Sequence, residues 1–318
     1  MLLDLVIFAV GVSLLVAGAW LLVTGGARIA SLLGVSPVVV GLTIVAWGTS
    51  APELFVCLVA ALRGNTELML GNVIGSNIAN IGLILGTAIC LVPVTIDKGL
   101  GKREIPLLLG ISVLFSFLCW DRSLSRLDGL VLVVGFFVFI FVTFQSTKQG
   151  GSRTQIKTAP EPVALAKRGV MVNFLLVVLG VVGLAGGGEL IVRSAVSVAR
   201  QLGASESFIG LTLVAVGTSL PEFATTIIAT VRRQSEIALG NIIGSNLFNL
   251  LAVAGPVALI QPVTGENTLR THQLPAMLLL TLLLPLVCVH SKAIRRFWGP
   301  PLLLLYVVVL VWWRKGGV

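Results

Sequence analysis

Residues 48–53, "GTSAPE", interrupt a run of apolar sequence, and almost the same six letters return at 217–222 as "GTSLPE". A carboxylate set among residues that suit hydrocarbon is expensive, and such residues mark ion or substrate pathways. Here the same glycine, hydroxyls, proline and glutamate occur twice, so both glutamates call for one explanation.

The surrounding sequence sets the medium. The 318 residues are 56% hydrophobic and only 11% charged, with a mean hydropathy of +1.05. Apolar runs of about 20 residues, enough for a helix to cross a bilayer core, recur almost end to end. This excludes a soluble domain and predicts an all-α polytopic membrane protein. Ten transmembrane spans are predicted over 3–24, 36–62, 67–93, 105–120, 127–146, 169–191, 207–231, 236–261, 273–290 and 299–313. The opening "MLLDLVIFAVGVSLLVAGAW" lacks the basic region of a signal peptide and reads as a retained first span. The one long polar connection, 146–168, separates a first five-helix half (1–145) from a second (169–318) within a single membrane domain, 1–318.

The two halves are copies. A shift of 169 residues pairs Ala17–Gly86 with Gly186–Gly255 without a gap, and 29 of 70 positions agree, 21 of them within the 40 from Gly41 to Asn80. The agreements include Gly, Thr, Ser, Pro, Glu and Asn, which apolar composition alone does not match in register. Because five is odd, the second copy is expected to enter the membrane from the opposite side. Two inverted-topology repeats are an architecture of secondary transporters, with the site near the midplane between the repeats. With the amino terminus outside, 14 of the 22 Lys and Arg residues fall on the inward side and 8 on the outward. That bias predicts a cell (inner or plasma) membrane protein with both termini outside and 146–168 in the cytoplasm. The net charge of +9 then needs no nucleic acid to explain it. The four cysteines (Cys57, Cys90, Cys119, Cys288) have no metal-ligand spacing and read as buried packing.

Two polar clusters recur in each half: "VAWGTSAPE" (45–53) with "VAVGTSLPE" (214–222), and "GNVIGSNIAN" (71–80) with "GNIIGSNLFN" (240–249). Proline predicts a helix break near Ser50–Pro52 and in its copy, freeing carbonyls such as those of Ala46 and Ala215. The plainer reading is that Ser50 and Glu53, like Ser219 and Glu222, form capping boxes, although capping requires no charge at membrane depth. In the second cluster Asn72, Ser76 and Asn80, and Asn241, Ser245 and Asn249, step by four along one helical face. Asn72 and Asn241 read as interhelical hydrogen-bonding residues. Ser76, Asn80, Ser245 and Asn249 read as ligands opposite the glutamates. Gly71, Gly75, Gly240 and Gly244 are expected to let a neighbouring backbone approach.

Among the remaining acids, those at span ends, Glu104 included, are expected to be solvated, and Glu189 to pair with Arg193. Neither His272 nor His290 meets a thiol or hydroxyl at a useful spacing, so a borderline metal such as zinc lacks ligands. The all-oxygen set suits a hard cation, calcium better than magnesium. One Ca²⁺, a set of Na⁺ or two protons could compensate two carboxylates, and competition among them is a physical basis for exchange.

At these residues the chain resembles the sodium/calcium exchanger family of the cation/Ca²⁺ antiporter superfamily, in its compact prokaryotic form. The paired "GTS-x-PE" and "GN-x-x-GSN" motifs carry the resemblance, which extends over nearly the whole sequence. It implies calcium extrusion driven by cation entry under alternating access, with no prosthetic group and no obligate protein partner. It implies calcium ligands at Glu53 and Glu222 with the carbonyls of Thr49 and Thr218, and sodium ligands drawn from Ala46, Ser50, Ser76, Ala215, Ser219, Ser245 and the same glutamates. Asn80 and Asn249 would sit at the centre; some sodium-driven members carry Asp where Asn249 stands. A proton-coupled or K⁺-dependent antiporter and a cation channel are the other readings. An intramembrane hydrolase would need a base beside Ser50 or Ser219, and no histidine is in reach.

Overall fold

The computed structural model describes residues 2–96, 99–149, 163–202, 215–289 and 293–316. Within them run α1 (Leu2–Leu33), α2 (Pro37–Leu62), α3 (Thr66–Leu91), α4 (Ile105–Leu118), α5 (Arg126–Gln149) and α6 (Val163–Gln201). They are followed by α7 (Leu220–Val231), α8 (Ser235–Ile260), α9 (Leu274–Val289) and α10 (Gly299–Gly316). A single helical turn, Ala215–Thr218, precedes α7. Eight of these helices are long and apolar enough to cross a membrane; α4 and α7, among the described residues, are shorter. Helix α5 runs past the expected end of its span and α6 begins before it, so the 146–168 connection is shorter than expected. Residues 150–162, the start of the 207–231 span, Glu206 and His290 lie outside the described residues.

Helix starts follow local chemistry. Ser36 accepts the Val38 N–H at 3.2 Å, with Pro37 in the first turn, where its missing N–H does no harm. Asn65 accepts the Leu68 N–H at 3.3 Å at the start of α3. The chain reverses between α2 and α3 through Gly64, whose φ of +76° suits glycine; the repeat-equivalent Arg233 holds φ +58° without that freedom.

Burial separates centre from periphery. The most apolar windows of α3 and α8 are 78% and 83% buried, against 33% for α1, 22% for α5 and α6 and 17% for α10. So α3 and α8 form the middle of the molecule, and the outer faces of α1, α5, α6 and α10 carry exposed Val, Leu, Phe and Trp suited to acyl chains. The core around α3 and α8 includes Leu42, Ile74, Ile78, Phe115, Leu247 and Leu251. Phe248 meets Phe136 and Phe139 edge-on, at centroid distances of 5.2 and 6.5 Å.

Close approach depends on glycine at two places. Helices α1 and α6 cross over Gly11, Gly18, Gly180, Gly183 and Gly187; a Cβ on Gly180 would lie 2.6 Å from the Leu22 nitrogen. In the centre, a Cβ on Gly244 would lie 2.6 Å from the Ala46 Cβ, and one on Gly240 3.0 Å from the Gly41 Cα. Gly240 and Gly244 thus seat α2 against α8 as expected. Gly71 and Gly75 meet no backbone within 4 Å; the segment that corresponds to the α2 start, 207–214, is outside the described residues.

Two short antiparallel ladders tie the halves. Strand β1 (Val94–Thr95) pairs with β4 (Ala293–Ile294), and β2 (Ser123–Leu124) with β3 (Val263–Thr264). Each ladder takes one strand from each half. Wider π-helical turns also recur at repeat-equivalent positions, at Asn80–Leu85 and Asn249–Val253 and again at Leu100–Glu104 and Leu269–Gln273.

Gly180→Ala should destabilise the protein by about 1–3 kcal/mol through overpacking against the α1 backbone, lowering the melting temperature in detergent. Gly110→Ala, with nothing within 4 Å of the added carbon, should leave it unchanged or raised.

Candidate functional site

Helices α2, α3, α7 and α8 enclose a buried polar cluster that draws evenly on both halves. Glu53 and Glu222 are each 1% exposed, and Thr49, Ser50, Ser76, Asn80, Ser219, Ser245 and Asn249 are buried with them. Ser50, three residues before Glu53 on α2, reaches the Glu222 carboxylate at 2.9 Å, so the two acids line one cluster. Sequence positions that never approach one another in the chain are brought together here by hydrogen bonds between the halves.

Those bonds follow the repeat. Thr49 Oγ1 donates to Asn241 Oδ1 at 3.2 Å, and its equivalent Thr218 donates to Asn72 Oδ1 at 3.2 Å. Asn241 Nδ2 reaches Thr226 Oγ1 at 3.0 Å, while the equivalent Asn72 Nδ2 reaches Cys57 Sγ at 3.3 Å. Asn72 and Asn241 are therefore the interhelical hydrogen-bonding residues the four-residue spacing indicated. The hydroxyls of Thr49 and Ser245 lie 3.4 Å apart, as do those of Ser219 and Ser76.

The symmetry stops at the carboxylates. Ser50 Oγ donates to Glu222 Oε1 at 2.9 Å, whereas no equivalent bond from Ser219 reaches Glu53. Among the described residues both Glu53 oxygens, Glu222 Oε2, Asn80 Oδ1 and both amide atoms of Asn249 are buried without a hydrogen-bond partner. A buried polar group left unmatched costs on the order of 1–3 kcal/mol, and more if charged. Five of these six atoms are oxygens, which is the donor set a hard cation accepts.

The capping reading fails on the same geometry. Ser219 makes no side-chain cap bond and Ser50 lies inside a continuous helix, so neither serine caps a helix. The expected break also divides unequally. The second copy leaves helical geometry at Ser219 (φ −88°, ψ 2°), but α2 runs on through Pro52 and accommodates its irregularity upstream, in the π-helical turn Gly41–Val45. Proline lacks the N–H that a carbonyl four residues back would accept, so the carbonyls relieved of that bond are those of Gly48 and Gly217. The Ala46 carbonyl instead accepts Thr49 Oγ1 at 3.1 Å. Ala215 opens the helical turn before Ser219, at the edge of the described residues.

A single family model, described as sodium/calcium exchanger protein, matches residues 3–145 and again 172–314, two stretches that begin and end 169 residues apart. The chain belongs to the sodium/calcium exchanger family. It is 36% identical to the putative antiporter CaxA of Alkalimonas amylolytica, over 93% of both chains. It is 31% identical to the sodium/calcium exchanger MaX1 of Methanosarcina acetivorans, over 94% of this chain and 95% of that one. The solved structure of the sodium-calcium exchanger NCX_Mj, soaked with Na⁺ and without Ca²⁺, superimposes with a TM-score of 0.86 at 32% identity, covering 98% of both chains. With its eight long apolar helices, this exchanger-family protein is a multi-pass integral membrane protein, and its family is one of transporters that carry Na⁺ and Ca²⁺ without a prosthetic group.

Outside the cluster, Glu189 accepts Arg193 Nε at 2.5 Å on an exposed helix face, the local pair that was expected. Glu104 is not solvated: it is 5% exposed and pairs with Arg103 at 2.9 Å, because the π-helical turn rotates it inward. His272 does meet a hydroxyl, Thr271 Oγ1 at 2.7 Å, but on the exposed surface, so it gives Ser50 and Ser219 no base. Cys57, expected only to pack, holds the Asn72 amide. Asn77 and Asn246 were also missed, although both stand in the repeated "GSN" triplets and both are buried; their recurrence was the signal.

Asn241→Leu would remove the bonds from α8 to Thr49, which keeps the Ala46 carbonyl, and to Thr226. A loss of about 1–3 kcal/mol in stability is expected, read as a lower melting temperature, with Asn72→Leu behaving alike.

Proposed function

We propose that the protein is a secondary antiporter that exchanges Ca²⁺ for Na⁺ by alternating access and extrudes calcium from the cell. The observation that carries this reading is the set of unpartnered buried oxygens on Glu53, Glu222, Asn80 and Asn249. In this reading Glu53 and Glu222 are the principal calcium ligands, joined by the carbonyls of Thr49 and Thr218, with Asn80 and Asn249 at the centre. Family membership and the likeness to a sodium-calcium exchanger structure support the substrate class.

Sodium would occupy oxygen clusters beside the carboxylates, drawn from Ser50, Ser76, Ser219 and Ser245 and the carbonyls of Ala46 and Ala215. The hydroxyl pairs Thr49–Ser245 and Ser76–Ser219 supply one such cluster on each side. Proton coupling is the second reading, and Asn249 favours it: a neutral residue leaves two carboxylates to hold several cations that repel one another at low dielectric.

The architecture in this reading is one membrane domain of ten spans, with α4 and α7 as the two short ones, arranged as inverted repeats. The ladders support the inversion. Helix α4 separates β1 from β2, β4 pairs with β1 and β3 with β2, so β3 lies at the opposite end from its repeat-equivalent β1. The unequal bonding of Ser50 and Ser219 supports two states that exchange the roles of the halves. The Lys and Arg count supports both termini outside.

Glu53→Gln and Glu222→Gln keep volume and hydrogen-bonding capacity but remove charge. Each should abolish ⁴⁵Ca²⁺ uptake into proteoliposomes while leaving a monodisperse protein, and near-normal transport by either would defeat the two-glutamate site. Asn80→Ala and Asn249→Ala should both raise the half-saturating calcium concentration.

The driving ion is read by loading vesicles with Na⁺ at matched pH with the membrane potential clamped. Uptake should follow the Na⁺ gradient, and Ser50→Ala should slow it at least about tenfold, the scale of a hydrogen bond to a charged group. Uptake that ignores Na⁺ and follows an imposed pH gradient, with Ser50→Ala nearly silent, would establish proton coupling instead.

A further inference from the structure

The asparagine of each "GSN" triplet has no part in the site as built so far. Asn77 and Asn246 are equivalent in the repeat, and each is at most 1% exposed. In this structure they do different things. Asn77 Nδ2 donates to the Val73 carbonyl of its own helix at 2.7 Å. Asn246 Oδ1 instead accepts Nδ2 of Asn80, across the interface between the halves, at 2.9 Å.

That bond decides which way the Asn80 amide points. An asparagine side chain presents an acceptor at one end and a donor at the other, and rotating it by half a turn exchanges them. With its donor end held by Asn246, Asn80 turns its oxygen the other way, and this Oδ1 is one of the buried atoms without a protein partner. The flipped amide would present the positive N–H₂ end to a cation. Asn249 shows the alternative: with Asn77 bound to Val73, neither amide atom of Asn249 has a partner. Asn246 Nδ2 is also buried without a partner, so the oxygen is the working end of this side chain.

We propose that Asn246 is a positioning residue for calcium, holding the Asn80 amide with its oxygen toward the ion. This rests on the calcium site of the preceding section and adds to it a residue that does not touch the ion. Asn246 acts through Asn80 alone, so its effect must vanish when Asn80 is removed.

The test is ⁴⁵Ca²⁺/⁴⁰Ca²⁺ self-exchange in proteoliposomes, which needs no assumption about the driving ion. Asn246→Leu removes the acceptor at similar volume. It should raise the half-saturating Ca²⁺ concentration about five- to tenfold, the scale of one hydrogen bond, with the maximal rate within about twofold. Asn80→Ala should do the same, and the double variant should be no worse than Asn80→Ala. Asn246→Asp keeps an acceptor oxygen in place and should leave half-saturation at or below the wild-type value. Multiplied effects in the double variant would overturn the assignment, as would an Asn246→Asp defect matching that of Asn246→Leu. A lowered melting temperature with unchanged half-saturation would overturn it too. If Asn246→Leu does not yield a monodisperse protein, Asn246→Ala takes its place in the cycle. Self-exchange that survives Glu53→Gln would defeat the underlying calcium site, whereas a multiplied double variant with Glu53→Gln inactive would defeat the role of Asn246 alone.

Discussion

A carboxylate that has neither water nor a protein donor cannot remain charged by itself. Among the described residues Glu53, with 1% of its surface exposed, has no protein donor to either oxygen, and Glu222 is only half provided for by Ser50. Moving such an ion out of water costs several kcal/mol even after the protein relaxes. The surrounding polar groups do not relieve it. Thr49 is bound to Asn241 and Thr218 to Asn72, which ties α2 to α8 and the turn before α7 to α3, and none of these bonds reaches the acids. The cluster is thus a scaffold of satisfied groups around a smaller set of unsatisfied ones.

The helices around the acids and the outer pair, α1 and α6, have different surfaces. The helices around the acids are joined by specific side-chain bonds and by contacts at Gly240 and Gly244 that admit no added atom. Helices α1 and α6 meet through glycine backbones and turn apolar side chains to the lipid, so few directional bonds fix their position along one another. Gln201 Nε2 donates to Asp4 Oδ2 at 3.1 Å between them, and α1 is also tied to the end of α7, where Arg232 donates to Thr24 Oγ1 at 2.5 Å and stacks over Trp20 at 5.2 Å. The repeat-equivalent residues are Arg63, Arg193 and Glu189, and there Glu189 pairs with Arg193 on its own helix. The outer pair is therefore held at one end differently from the other, in keeping with the unequal bonding of the two serines.

Much of this was legible in the sequence because duplication magnifies function. Residues such as Thr49, Glu53, Ser76 and Asn80 recur at a fixed shift within sequence that otherwise drifts among Leu, Val and Ile, and periodicity then gave the long helices and the face shared by Asn72, Ser76 and Asn80. Backbone detail was not legible. Proline in "SAPE" suggested a break, yet tertiary packing carries α2 across Pro52 and moves the irregularity to Gly41–Val45. The inward turn of Glu104 was hidden for a related reason, since a π-helical turn shifts the face a residue presents and has no sequence period of its own. The recurrence of "GSN" marked Asn246 as a candidate, but its bond to Asn80 was not legible because that partner belongs to the other half. Spacing along one helix says nothing of what lies across an interface.

The two ladders have a bearing on how such a protein came to be one chain. Neither β1 nor β2 finds a partner within its own half, and the same is true of β3 and β4. A half-length protein would leave both strand edges bare at once, and a second copy lying upside down beside it would cover both. The joined chain retains that mutual dependence. Its halves are less like two modules on a string than like two hands clasped at both wrists.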